Sequence, residues 1–225
     1  MKFLQAIVFG LFISWLPLSL EAQSLGIRTG LNASKMFVKD EYHKYSNDFK
    51  LSPGLMAGFS LEFFTKRENF SIETGAFYIT KGYRIDETRN IPTWEEYEYL
   101  EKMSLHYLEV PIHMKFSFPH QELRFYLLMG GYFGYGISGK VYSKAEFRGQ
   151  EYTAEEEIHW GNNPQSDLLL RPDYGLSAGA GLHVKRLVFG LSAQYALANI
   201  STYRERDNVV QNMGICAYVG FTLIK

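Results

Sequence analysis

Eight stretches of alternating apolar and polar residues, long and short connections in regular succession, and an apolar N-terminal leader together predict an all-β chain. The fold class they point to is an eight-stranded antiparallel up-and-down transmembrane β-barrel.

The leader comes first. Met1-Lys2 supplies a positive charge, and residues 3–20 form an apolar run broken by Gln5, Ser14, Pro17 and Ser19. Polar Glu21 and small Ala22 then offer a cleavage site, the layout of a secretory signal peptide. Residues 1–22 are therefore read as a signal peptide and 23–225 as one β-barrel domain. After the leader no apolar stretch approaches the roughly 18–20 residues that a membrane-spanning helix needs. Cys216 is the only cysteine, so no internal disulfide can staple this exported chain. A net charge of −1 without a basic block argues against nucleic acid as a partner.

Successive residues of a strand face opposite sides, so strict alternation marks a strand between two different environments. Leu25, Ile27, Thr29 and Leu31 oppose Gly26, Arg28 and Gly30; Leu55, Phe59 and Leu61 oppose Gly58, Ser60 and Glu62. Phe70, Ile72 and Thr74 oppose Ser71, Glu73 and Gly75. The fourth stretch alternates most strictly: Leu108, Val110, Ile112, Met114, Phe116 and Phe118 against Tyr107, Glu109, Pro111, His113, Lys115 and Ser117. The same pattern returns at 124–137, 175–184, 187–197 and 215–223. Each stretch comes close to the about 9–11 residues that a tilted membrane strand requires. Short links fall at 65–69, 119–122 and 185–186, and long ones at about 35–53, 82–104, 138–173 and 198–212. Short periplasmic turns and long outer loops succeed one another in this order in outer-membrane barrels.

A soluble lipocalin-like barrel would share the strand number and the leader. The polar face separates the two, because it mixes glycines with opposed charges: Glu62, Glu73 and Glu109 against Arg28, Lys115 and Arg124. Glycines on a wet exterior would weaken strands for no gain. Inside a narrow barrel they make room for long side chains, and the charges can pair. The apolar face then meets lipid, where only a closed sheet satisfies every backbone hydrogen bond. Aromatic residues near the strand ends, Tyr78, Tyr107, Phe118, Tyr135, Tyr174 and Tyr195 among them, read as interfacial girdles.

Several segments resemble one family. Residues 107–115 (YLEVPIHMK) are similar to the "YLEIPLLLK" strand of the porin-family outer-membrane β-barrel proteins of Bacteroidota, OmpA-like small barrels. Residues 26–32 (GIRTGLN), 126–134 (YLLMGGYFG), 173–181 (DYGLSAGAG) and 195–200 (YALANI) resemble further strands of that family, in the family's order. The chain departs at Gly130-Gly131, where the family has Gly-Pro, and at its end, FTLIK, which lacks a terminal aromatic. The resemblance implies a barrel in the outer membrane after export, in contact with outer-membrane lipid, and says little about biochemistry.

Glu109, His113 and Lys115 share one strand face, a spacing that could serve acid–base chemistry or a metal. No nucleophile or full ligand set accompanies them, and no cofactor is expected. Arg28, Glu62, Glu73, Glu109, His113, Lys115 and Arg124 are instead expected to form a polar network that fills the lumen. The loops carry acidic runs at Glu95-Glu96 and Glu155–Glu157, together with Trp94 and Trp160. Exposed Trp is often a contact residue, which makes these two the candidates for binding envelope proteins. The expected function is a non-enzymatic barrel with a filled lumen whose outer loops serve structural or partner-binding roles. The alternatives are an accessory component of a secretion or uptake machine and, behind it, a small porin or a barrel enzyme.

Overall fold

The computed structural model describes residues 23–39, 49–65, 69–91, 94–120, 122–147, 150–203 and 208–224. The predicted signal peptide lies outside them. Among the described residues nine strands follow one another: β1 (Gln23–Lys39), β2 (Ser52–Phe64), β3 (Phe70–Ile91), β4 (Trp94–His120), β5 (Leu123–Phe147), β6 (Gln150–Glu157), β7 (Pro172–Val184), β8 (Leu187–Ala196) and β9 (Val209–Ile224). All pairings between them are antiparallel. Eight strands close a ring in the order β1-β2-β3-β4-β5-β7-β8-β9, sealed by β9 against β1. The ring is the eight-stranded up-and-down barrel that the alternation predicts.

β6 is an addition to that expectation, and it stands outside the ring. Along one edge, β5 pairs with β7 over Leu123–Tyr135 and with β6 over Lys140–Phe147. The change of partner occurs at 136–139, where residues 158–171 cross the mouth of the barrel. Ile158 N–H donates to Gly139 O, and Gly136 N–H donates to Arg171 O.

Two of the long connections are largely strand. β3 and β4 pair as far as Ile91 and Trp94, and β4 and β5 pair as far as Tyr97 and Phe147. Residues 82–91 and 94–104 are thus a continuation of the barrel wall, and 138–147 belong to β5. The physical reason is that antiparallel pairing needs no lipid. Above the bilayer a ladder can continue with both faces wet or with loops packed on one face, so strict polar–apolar alternation is no longer required.

Within the bilayer the faces separate cleanly. Leu31 is 70% exposed and Ile112 is 63% exposed on the outer side, in a belt that includes Phe59, Leu127, Leu176 and Leu191. An apolar belt this extensive is stable only against lipid. Tyr78, Tyr135, Tyr174 and Tyr195 stand on that outer side. Tyr107 is a correction: it points into the lumen and is fully buried. It shares the parity of Glu109 and so cannot reach the interface.

Candidate functional site

The lumen is built in layers, counted from the end that carries the short turns. The first is a charged layer. Arg28 on β1 donates from Nη1 and Nη2 to the two carboxylate oxygens of Glu73 on β3, both at 2.6 Å. Lys115 on β4 donates to Glu73 at 2.9 Å and to Glu62 on β2 at 2.8 Å, and Ser71 donates to Glu62 at 2.6 Å. Two cations thus meet two carboxylates with nearly every oxygen engaged, the condition under which buried charge is tolerated. Tyr126 and Tyr218 share a hydrogen bond at 2.9 Å beside them. Their rings lie under Lys115 (4.6 Å) and Arg28 (5.2 Å). Gly181 and Gly190 face these two phenols, and a Cβ at either position would collide with them. Here glycine is required by close approach.

A thin apolar layer follows, in which Met56, Phe77, Ile79 and Leu128 are buried. It borders a cavity of about 50 Å³, room for a water molecule or two. Above it lies a second charged layer centred on Lys81 of β3. Its ammonium sits 2.9 Å from Glu109 and 3.0 Å from Asp173, and 4.2 Å from the Tyr132 ring. One cation serves two carboxylates here, and neutral donors make up the difference. Gln194 donates to Glu109, and Asn212 donates to Asp173 at 3.1 Å.

The mouth is closed by an apolar core. Met36, Tyr83, Met103, Leu105, Ile158, Leu169 and Ile200 pack together there, with Trp160 against them. Trp160 meets the Tyr107 ring edge-on at 5.8 Å and covers Gly136. Residues 158–171 are pinned across the opening by hydrogen bonds from Leu170 N–H to Ile200 O and from the Thr202 hydroxyl to Asp167 O. Burial and the bond to Glu101 raise the Tyr83 phenol above its ordinary pKa, so it stays a donor to that carboxylate at 2.6 Å.

The sequence-predicted site residues fall into different layers. Arg28, Glu62, Glu73 and Lys115 come together in the first. Glu109 belongs to the other charged layer, with Lys81. His113 bonds Ser177 between them, so the three residues sharing the β4 face have separate partners and make no acid–base unit. Arg124 joins neither layer; it lines a cavity of about 210 Å³ at the turn end, with Glu122 and Lys185. Trp160 is a correction, because it turns inward as part of the cap instead of standing free on a loop. Trp94 begins β4 opposite Ile91, and its side chain, like those of Glu95 and Glu96, lies outside the described residues. Lys81, Asp173, Asn212 and Gln194 complete the lumen, and sequence reasoning misses all four as site residues. Extending the β3 and β7 alternation by a few residues finds the two charged ones. Among the described residues no group of three or more His, Cys, Asp or Glu is placed to hold a metal.

Residues 21–202 match the family described as outer membrane protein beta-barrel domain. Among solved structures, the chain is similar to the attachment invasion locus protein Ail of Yersinia pestis at 15% identity and a TM-score of 0.37, covering 90% of this chain and 100% of that one. It is similar to OprG of Pseudomonas aeruginosa at 12% identity and a TM-score of 0.45, covering 91% and 98%. The Neisserial surface protein NspA gives 9% identity and a TM-score of 0.42, covering 90% and 100%. No curated protein matches the chain. With four-fifths of its length inside that family match, this chain belongs to the outer membrane protein β-barrel domain family and is a protein of the outer membrane.

Proposed function

We propose that the protein is a non-enzymatic outer-membrane scaffold: a barrel with a filled lumen that carries a sheet beyond the membrane for docking to another envelope component. The observation that carries this reading is the lumen itself. Two buried charged layers and an apolar cap occupy it in succession, leaving about 50 Å³ between the layers. A general diffusion pore needs a continuous aqueous path, and eight strands enclose only enough space for side chains. Catalysis at the outer rim would need a nucleophile beside a base or an activated water, and the charged groups of the two lumen layers are instead spent on one another.

The test is turnover by the purified barrel in phospholipid micelles, offered phospholipid, ester and peptide substrates. No turnover above empty micelles is expected. Hydrolysis that a single rim substitution abolishes would overturn the non-enzymatic reading.

A further inference from the structure

We propose that the outer edge of β6 is a docking site for an extended, basic segment of another protein, which adds to the sheet as its next strand. The inference deepens the docking reading above and rests on it.

β6 is the last strand of the sheet order, and among the described residues no strand pairs with its far edge. All eight of its residues are exposed. Its register with β5 runs unbroken from Lys140↔Glu157 to Phe147↔Gln150, without bulge or proline. Such an edge presents a row of free backbone donors and acceptors. Which residues present them follows from one hydrogen bond. Ile158 N–H donates to Gly139 O at 2.8 Å, in the same register. In an antiparallel pair, alternate residues direct both backbone groups at the partner. Positions 150, 152, 154 and 156 therefore bond β5. The N–H and C=O of Glu151, Thr153, Glu155 and Glu157 point away from β5, and no backbone group among the described residues bonds them.

Charge then selects the partner. The β5–β6 tip (140–147 and 150–157) holds five glutamates and two lysines, a net charge of −3. Lys144 pairs with Glu151 at 2.7 Å and Lys140 with Glu155 at 2.9 Å. Glu156 and Glu157 have no ion pair among the described residues. A second copy of β6 laid antiparallel would set glutamate against glutamate, which is unfavourable for directly opposed residues. A strand bearing Lys or Arg at every second position would meet Glu151, Glu155 and Glu157 on one face of the sheet. Its intervening apolar residues would meet Tyr152 and Ala154 on the other face, which Glu156 shares. Added strands gain affinity from main-chain bonds and specificity from alternate side chains.

The test uses the full barrel in zwitterionic nanodiscs and a labelled peptide of alternating Lys and Val, as long as β6. Saturable binding is expected, with slowed amide exchange at Glu151, Thr153, Glu155 and Glu157. Thr153→Pro removes an outward N–H and no bond to β5, and should weaken binding at least about tenfold; Thr153→Val should bind as the parent does. A Glu–Val peptide and a scrambled Lys/Val peptide should not bind. No saturable binding, equal binding of the scrambled peptide, or unchanged binding by Thr153→Pro each overturns the proposal. Should Thr153→Pro fold poorly, N-methylation of the peptide backbone breaks the same ladder from the peptide's side: lost binding supports the proposal and unchanged binding overturns it. Dimers that Thr153→Pro abolishes would replace the basic strand by a second copy and also overturn it. None of these results bears on turnover, and rim hydrolysis would sink the scaffold reading without touching the edge, so the two failures are distinguishable.

Discussion

The membrane-embedded half of the barrel and the sheet that rises above it are made by the same strands under different solvents. In the lower half every outward residue of β4 from Leu108 to Phe118 is apolar and every inward one is small, polar or charged up to Tyr107. In the upper half the same strand reads Tyr97-Glu98-Tyr99-Leu100-Glu101-Lys102, and alternation fails. The interior changes with it, from paired charges at Glu73 and Lys81 to a core of Leu105, Ile158 and Ile200. Lipid outside forces the polar groups inward. Water outside lets the interior become an ordinary hydrophobic core. The difference teaches that the bilayer, more than the sheet, dictates the residue pattern.

The largest effect should come from breaking the lower network. Glu73→Leu leaves Arg28 without its bidentate partner and Lys115 with Glu62 alone, and is expected to cost about 3–5 kcal/mol. Urea unfolding in micelles reads this as an earlier midpoint of the whole barrel. Leu105→Ala, at a fully buried position of the cap, should cost about 2–4 kcal/mol. Hydrogen exchange should show the loss at 83–106 and 158–171 while the lower ladders stay protected. Equal loss in both halves would mean that they are one cooperative unit. Gly136→Val places side-chain atoms where the Trp160 ring lies. It should cost about 1–3 kcal/mol and shift Trp160 emission to the red when Trp94 is replaced by Phe. Glu156→Gln, on the exposed β6, should leave the unfolding midpoint unchanged.

The ring, the lipid belt and one wall of the lumen are legible in the sequence because lipid and lumen impose a period of two. Arg28, Glu62, Glu73, Glu109, His113 and Lys115 stand out for that reason. Lys81 and Asp173 escape because they lie beyond the stretches of clean alternation, which end at Tyr78 in β3 and start at Gly175 in β7. Both keep the inward parity of their strands, eight residues beyond Glu73 and two before Gly175. Who pairs with whom is a matter of stagger around the ring. Lys115 reaches Glu62 and Glu73 on other strands and not Glu109 on its own. Along one strand alternate inward residues are set apart by two rises of the chain, whereas neighbouring strands bring their inward residues side by side. Trp160 gives no local sign of its inward turn; its place depends on the room left by Gly136, 24 residues earlier.

The lumen is closed first by paired charge and then by apolar packing, and planar-bilayer recording of the folded barrel tests that closure most directly. The expected trace has no stable conductance steps above the bare membrane at any moderate voltage. Large, stable steps reproduced from one insertion to the next would show a continuous aqueous path through Glu73, Lys81 and Trp160, and would contradict it.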